Sequence, residues 1–342
     1  VAFEHRQPGL VDVAEHAGVS ISTVSRVLTG RTPVSSRLRE KVTTAVEELG
    51  YRPNAAAQAL VSGRRSTVAV LARNTTRFGY AATLQGIEEA ARAAGYVVMI
   101  ALIESTDREE VERGVNLTLS QALAGAIVIE FDDVGVETLT AMPDTIPVVA
   151  AAGARRRPGL HPHAFLDDYA GGKEATEYLL SLGHRTVHHV AIPATRARSG
   201  RAWGWRQALI GAGVAVPPVV QAEYSPTSGY DAAQRIVDDP DVSAILCGND
   251  ELAIGVARAY QERGRSIPRD VSIVGFDNQP FAQMWLPALT TVSQDFIDLG
   301  RRTFGLLAQW LETSVRPGDS AVRPHLIVRE STGPAPVPTA HR

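Results

Sequence analysis

Several polar residues in this chain follow directly on short apolar runs, where the C-terminal ends of buried strands would place them. Asp167 or Asp168 follows Ala164-Phe165-Leu166, Asn249 follows Ala244–Gly248, and Asp277 follows Val271–Phe276. Arg201 falls in the first turns of the helix expected after Val187–Ile192. Such side chains fork readily to adjacent hydroxyls, and an aromatic face covers the apolar side of a sugar ring. Ligand recognition is the chemistry these types supply, although Asn249 and Asp277 also suit helix caps and Arg201 a surface ion pair. Catalysis has no comparable footing, since the chain has no G-x-G-x-x-G, no phosphate loop and no G-x-S-x-G elbow. His188 and His189 are neighbours in a strand, so they point to opposite faces and cannot chelate one ion. Cys247 has no Cys or His partner nearby in sequence and reads as a buried thiol. His161 and His163 lie in a Pro/Gly-rich stretch that reads as a plain loop. Neither an enzyme, a cofactor nor a metal is expected.

The elements that must hold these residues follow from hydrophobic periodicity. From Thr67 onward, apolar runs alternate with amphipathic segments. Strands are predicted at Thr67–Leu71, Tyr96–Leu102, Gly125–Ile129, Val148–Ala151, Val187–Ile192, Ala244–Leu246 and Val271–Phe276. Helices are predicted at Ala81–Ala94, Val111–Leu123, Gly171–Leu182, Ser199–Ile210, Asp250–Arg263 and Phe296–Glu312. Buried strands separated by helices make parallel sheets covered on both faces. Seven or more strands over this length fit two lobes better than one sheet. Ligands then bind at the C-terminal strand ends, in the cleft between lobes.

The first fifty residues have a different texture. Three short helices are expected: Leu10 to Ala17, ended by Gly18; Ile21 to Leu28, capped by Ser20; and one begun by Ser35 or Ser36 and stopped by Gly50. Two helices joined by two or three residues with Gly18 at the corner suit a helix-turn-helix. Residues Pro53 to Gly63 read as a helix of about two turns, too short to persist without a partner.

Charge supports this division. The 342 residues carry a net charge of −3. Residues 1–65 hold nine Lys/Arg against six acids, which makes them +3 and leaves −6 on the rest. A basic module facing a polyanion, attached to an acidic body, is the implied arrangement. A single cysteine excludes an internal disulfide, and no apolar run approaches the roughly 18 residues of a membrane span. Without a hydrophobic signal core at Val1 to Gly9, a cytoplasmic location is expected and no membrane partner.

Asp12-Val13-Ala14-Glu15-His16-Ala17-Gly18-Val19-Ser20-Ile21-Ser22-Thr23-Val24-Ser25-Arg26-Val27-Leu28 strongly resembles the start of LacI/GalR-family transcription regulators. The likeness continues through Leu49-Gly50-Tyr51-Arg52-Pro53-Asn54 into the body, at Leu182-Gly183-His184-Arg185, Gly248-Asn249-Asp250, Val274-Gly275-Phe276-Asp277 and Leu289-Thr290-Thr291-Val292. It spans roughly residues 9–333 in the family's order. The resemblance implies an all-α helix-turn-helix headpiece (1–52), a hinge helix and linker (53–65), a two-lobed α/β core like periplasmic binding proteins (66–333), and a flexible tail (334–342).

By position in that family, Ile21, Ser22 and Arg26 read base edges in the major groove. Arg26 pairs with guanine and Ile21 meets a thymine methyl. Ser20, Thr23, Ser25 and Asn54 contact the DNA backbone. Ala57 lies in the hinge, and Leu60 is the wedge inserted into the minor groove. Ala55, Ala56 and Ala57 favour a hinge already partly helical before DNA binds. Gly9 replaces the family's usual hydroxyl cap and Val11 a position often basic or aromatic, implying one phosphate contact fewer. Arg201, Asn249 and Asp277 are the principal effector ligands. Tyr224 is a stacking residue, and Tyr80, Phe296 and Asp167 are further candidates. The implied function is a homodimeric regulator, a repressor by the family's commoner logic, that binds a pseudo-palindromic operator under the control of a sugar or sugar derivative. A purine-nucleobase sensor is the alternative within the class, and a solute-binding protein lies outside it. No leucine heptad follows Val328, so nothing suggests an oligomer beyond the dimer.

Overall fold

The computed structural model describes residues 8–29, 33–51, 65–154, 161–193 and 200–337. They fall into two compact units, Val1–Ser66 and Thr67–Arg342.

In the first unit, α1 (Leu10–Ala17), α2 (Ile21–Thr29) and α3 (Ser36–Glu48) enclose a small core. Its buried members are Val13, Ala14, Ala17, Val24, Val42, Ala45 and Tyr51. The cap that Gly9 cannot supply is replaced from the other side, because the Gly9 N–H donates to Asp12 Oδ2 at 2.6 Å. Gly18 turns the corner in the left-handed region at φ +64°, where a side chain would be strained, and its N–H bonds back to α1 carbonyls. Ser20 Oγ accepts the Thr23 N–H at 3.2 Å and so caps α2.

The second unit opens with β1 (Thr67–Ala72), α4 (Phe78–Ala93), β2 (Val97–Leu102), α5 (Arg108–Leu119), β3 (Leu123–Glu130), α6 (Asp133–Ala141), β4 (Val148–Ala152) and β5 (His163–Leu166). It continues with α7 (Asp168–Ser181), β6 (His188–Ala191), α8 (Gly200–Gly211), β7 (Val220–Gln221), α9 (Pro226–Ala233), β8 (Ala244–Cys247), α10 (Asp250–Glu262), β9 (Ser272–Asp277) and β10 (Thr290–Ser293). Helix α11 (Phe296–Thr313) and the short strands β11 (Ser320–Val322) and β12 (His325–Ile327) complete it. Two six-stranded sheets result, ordered β11-β5-β4-β3-β1-β2 and β12-β10-β9-β8-β6-β7. The pairings are parallel except for β12, which runs antiparallel to β10. Apolar clusters cover both faces of each sheet, as two-sided burial of Val/Ile/Ala-rich strands requires.

This topology sends the chain between lobes three times: from β5 to α7, from β10 to α11, and from β11 to β12. Asp167 and Asp168 stand at the first crossing, Gln294 and Asp295 at the second. Helices α7 and α8 approach closely because Gly172 and Gly204 face them: an added Cβ would lie 2.2 Å from the Arg201 carbonyl oxygen and 2.1 Å from that of Tyr169.

Several sequence expectations need correction. The helix foreseen over Val111–Leu123 spans Arg108–Leu119, and Leu123 already opens β3. Helices α6 and α9 and strands β5, β7, β10, β11 and β12 are absent from the sequence expectation, and His163, expected in a loop, opens β5. Most are too short to display a period, and β7, β11 and β12 are held by a partner strand rather than by alternation. The core's last residue is tied down, the Gly333 N–H donating to Ser272 Oγ at 3.0 Å, and the start of the tail expected to be flexible from 334 is held as well, the Ala335 N–H donating to the Leu182 carbonyl at 3.0 Å.

Candidate functional site

A cavity of about 140 Å³ lies between the lobes at the C-terminal ends of their strands. At ~10–15 Å³ per water position it has room for on the order of ten waters, the scale of a small polar molecule.

Arg201, at the start of α8, organises one wall. Its Nε and Nη2 donate to Asp168 Oδ2 at 3.1 and 2.7 Å. Its Nη1 donates to the Gly248 carbonyl and lies 3.5 Å from Asp277 Oδ1. The guanidinium sits 4.0 Å above the Phe276 ring. The other Asp168 oxygen accepts the side-chain amide of Gln294. Burial raises the Asp168 carboxyl, while the Arg201 charge and hydrogen bonds pull it back. Both arginine donors converge on one carboxylate oxygen, a charge-assisted contact that opposes the burial.

Asp277 ends β9 at φ +99°, a backbone region that non-glycine residues enter at a cost and that recurs at ligand sites. Burial pushes its carboxyl up to about 6 against the opposing Arg201 charge. Behind it, Asp250 accepts from Thr291 Oγ1 and the Gln279 N–H, each at 2.6 Å, and burial pushes it up to about 8.

Asn249 is both cap and wall. Its Oδ1 accepts the Leu252 N–H at 2.7 Å, and its Nδ2 donates to the Tyr224 carbonyl at 3.0 Å. Tyr224 belongs to the second lobe, yet its ring is covered at 4.1 Å by Arg77, which precedes α4 in the first. Tyr80 donates to Asp132 Oδ2 at 2.8 Å and packs edge-on against Phe131 at 5.1 Å, while Phe296 meets Phe131 at 5.9 Å. These rings form an apolar wall opposite the charged one.

Arg201, Asn249, Asp277, Tyr224, Tyr80 and Phe296 are thus brought together around one cavity. Asp167 is not: its Oδ1 accepts the Ala170 N–H at 3.1 Å as the cap of α7, and the adjacent Asp168 lines the cavity instead. Sequence reasoning missed Arg77, Phe131, His189, Glu251 and Gln279, all in the lining. Only the buried histidine in a strand carried a signal, and that went no further than the strand's alternation.

On the headpiece, Ile21, Ser22 and Arg26 are exposed, and the Arg26 Nε donates to the Ser22 carbonyl at 3.2 Å along one face of α2. Ser20 Oγ lies 2.9 Å from both Ser22 Oγ and Thr23 Oγ1, and Ser25 is half-buried. Asn54, Ala57 and Leu60, with the rest of the expected hinge helix, lie outside the described residues. Among the described residues no helix is long and apolar enough to cross a membrane, and no group of three or more His, Cys, Asp or Glu side chains is placed to hold a metal.

A helix-turn-helix unit with its polar helix face outward, joined in sequence to a two-lobed ligand-binding core, is the build of a ligand-responsive transcription regulator. The family model described as bacterial regulatory proteins, lacI family, matches residues 9–54, and that of a periplasmic binding protein-like domain matches residues 176–332. Catabolite control protein A of Priestia megaterium is 32% identical over 94% of this chain and 98% of its own. The transcriptional repressor PurR of Escherichia coli is 30% identical over 95% of this chain and 97% of its own. Among solved structures, the lac repressor dimer bound to operator and the anti-inducer ONPF superposes with a TM-score of 0.86 at 27% identity, covering 96% of this chain and 100% of that one. The transcriptional regulator CelR in complex with cellobiose gives a TM-score of 0.70 at 30% identity, covering 95% and 99%. The chain belongs to the LacI family of DNA-binding transcription regulators. Its relatives are regulators rather than enzymes.

Proposed function

We propose that this chain is a cytoplasmic, homodimeric repressor that binds a pseudo-palindromic operator and is controlled by a sugar or sugar derivative held between its lobes. The observation that carries the effector reading is the pairing of a polar wall (Arg201, Asp168, Asp277 and Asn249) with an aromatic one (Tyr224, Phe131 and Phe296) around one small cavity. Polar groups fork to hydroxyls while rings cover the apolar face of a pyranose or furanose. Solved relatives hold cellobiose and ribose.

On DNA, Ile21, Ser22 and Arg26 read bases while Ser20, Thr23, Ser25 and Asn54 grip phosphates, and Leu60 wedges the minor groove from the hinge. The headpiece is 1–52, the hinge 53–65, the core 66–333 and the tail 334–342. Dimerisation is supported by apolar side chains left on the surface: Val97, Ile100 and Leu102 of the edge strand β2 are half or more exposed, and Met284 and Leu286 nearly fully so. Closing the lobes then changes subunit spacing, and with it the pairing of two hinges over DNA.

Thermal-shift screening of the purified protein against neutral sugars, sugar phosphates, polyols and nucleobases tests the effector class, since a ligand of the native state raises Tm. A neutral sugar is the expected hit. The likeness to PurR repressors favours one second reading, a purine base as corepressor. A nucleobase hit, with no sugar hit, establishes it in place of the first.

A further inference from the structure

One buried polar group in the cleft wall belongs to none of the contacts described so far. His189, on β6, is fully buried with its ring 5.4 Å from that of Trp205, and it lines the cavity beside Arg201 and Asp168. Its Nδ1 lies 2.8 Å from the Leu246 carbonyl oxygen. A carbonyl only accepts, so Nδ1 carries the proton and Nε2 is a bare lone pair. A second proton is resisted: burial holds the imidazole down at about 4, and the Arg201 charge pushes the same way. Nε2 is buried without a partner among the described residues. Gln294, whose amide nitrogen is committed to Asp168, leaves its Oε1 in the same condition.

Such a group costs stability that an apolar side chain against Trp205 would not, so a compensating donor is expected in some state of the protein. The charges around it indicate what kind of donor. Glu130, Asp168, Glu251 and Asp277 line the cavity against Arg77 and Arg201. An excess of acids disfavours a phosphate or carboxylate, and an idle acceptor on His189 beside a donor unpartnered among the described residues, Arg77 Nη1, in the same lining suits an uncharged molecule rich in hydroxyl or N–H groups.

We propose that His189 is a specificity-determining residue of the cleft, an acceptor whose Nε2 takes a hydroxyl or N–H hydrogen of an uncharged effector. The inference rests on the reading of this cleft as the effector site. It assigns the residue a task distinct from those of Arg201, Asn249 and Asp277.

Two arms test it on the full-length protein, with His189→Leu and His189→Gln beside the wild type. In the first, imidazole 15N spectra at pH 7 are recorded without ligand, the His189 signals being assigned by their loss in His189→Leu. A bare Nε2 with a protonated Nδ1 is expected, and a protonated Nε2 overturns the proposal. In the second, calorimetric titrations use D-ribose, D-glucose, cellobiose, hypoxanthine and guanine. The member that binds should lose at least tenfold in affinity in His189→Leu but threefold or less in His189→Gln, which retains an acceptor. For a sugar, one monodeoxy analogue should bind the wild type about tenfold more weakly than the parent sugar, yet match that sugar in His189→Leu. A merely structural role does not produce that pairing. Unchanged affinity in His189→Leu, or equal weakening of all analogues in both proteins, overturns the proposal. If only a purine base binds, the sugar reading fails and the His189 comparison is decided on that base. If the panel is silent, the sugar reading fails and the 15N arm decides alone.

Discussion

Arg201 and Asp168 form a two-pronged ion pair in which the arginine of the cleft is held by a carboxylate at the first crossing between lobes. Through its other oxygen the same carboxylate holds Gln294 at the second crossing. The arginine of the cleft wall is therefore tied to two of the three segments that cross between the lobes.

Asp168→Asn should break that tie. It leaves the buried Arg201 with the Gly248 carbonyl and, as its remaining carboxylate, Asp277 at 3.5 Å; removing one member of a buried pair costs about 3–5 kcal/mol. Asp277 softens this toward the lower end. Denaturant unfolding of the core measures it, and a loss below about 1 kcal/mol would show that Arg201 finds another partner.

Asp277→Asn should abolish the response of operator binding to effector while leaving operator affinity without effector unchanged. It should also change the dependence of stability on pH. The folded-state value of about 6 lies above the ordinary 3.8, so the native core holds this proton more tightly than the unfolded chain does. Its contribution is full below pH 4 and is lost as pH rises through 6. Asp250, at about 8, acts in the same direction up to higher pH, whereas His189, at about 4, withdraws stability as pH falls from 6.5. The variant should therefore gain stability relative to the wild type at pH 7.5 and much less at pH 4.5. Melting curves at the two pH values check this.

Arg26→Ala should cost about 1–3 kcal/mol on the operator and little on random DNA. Fluorescence anisotropy with both duplexes makes the comparison. Equal loss on both would reassign Arg26 to the DNA backbone.

Gly172→Ala should push α8 away from α7, because the new Cβ meets the Arg201 backbone oxygen at 2.2 Å. Overpacking of this kind costs about 1–3 kcal/mol. Since Arg201 moves with that backbone, effector affinity should fall together with Tm. Gly305→Ala, where a Cβ meets nothing within 4 Å, serves as the control.

Ile100→Lys should shift the sedimentation profile from dimer toward monomer, as charge on the exposed face of the β2 edge opposes apolar association. An unchanged profile would place the interface elsewhere.

Much of this protein is written locally. Gly18, Ser20 and the apolar spacing around Val13, Val24 and Val42 specify three helices and their corner, because caps and a 3.6-residue period act over one turn. The alternation of Val/Ile/Ala runs with amphipathic helices specifies parallel sheets, and polar residues after those runs mark Asn249 and Asp277. What the sequence could not decide was set by distance along the chain. Whether Asp167 or Asp168 enters the cleft depends on which carboxylate caps α7 and which meets Arg201, 33 residues away. Arg77 reaches Tyr224 only because two lobes face each other. His189 is a cleft residue because Leu246, in another strand, holds its Nδ1 and leaves Nε2 unpaired. Local propensities carry no information on such pairings, which arise where packing brings remote segments within hydrogen-bond range and removes the water that would otherwise have satisfied them.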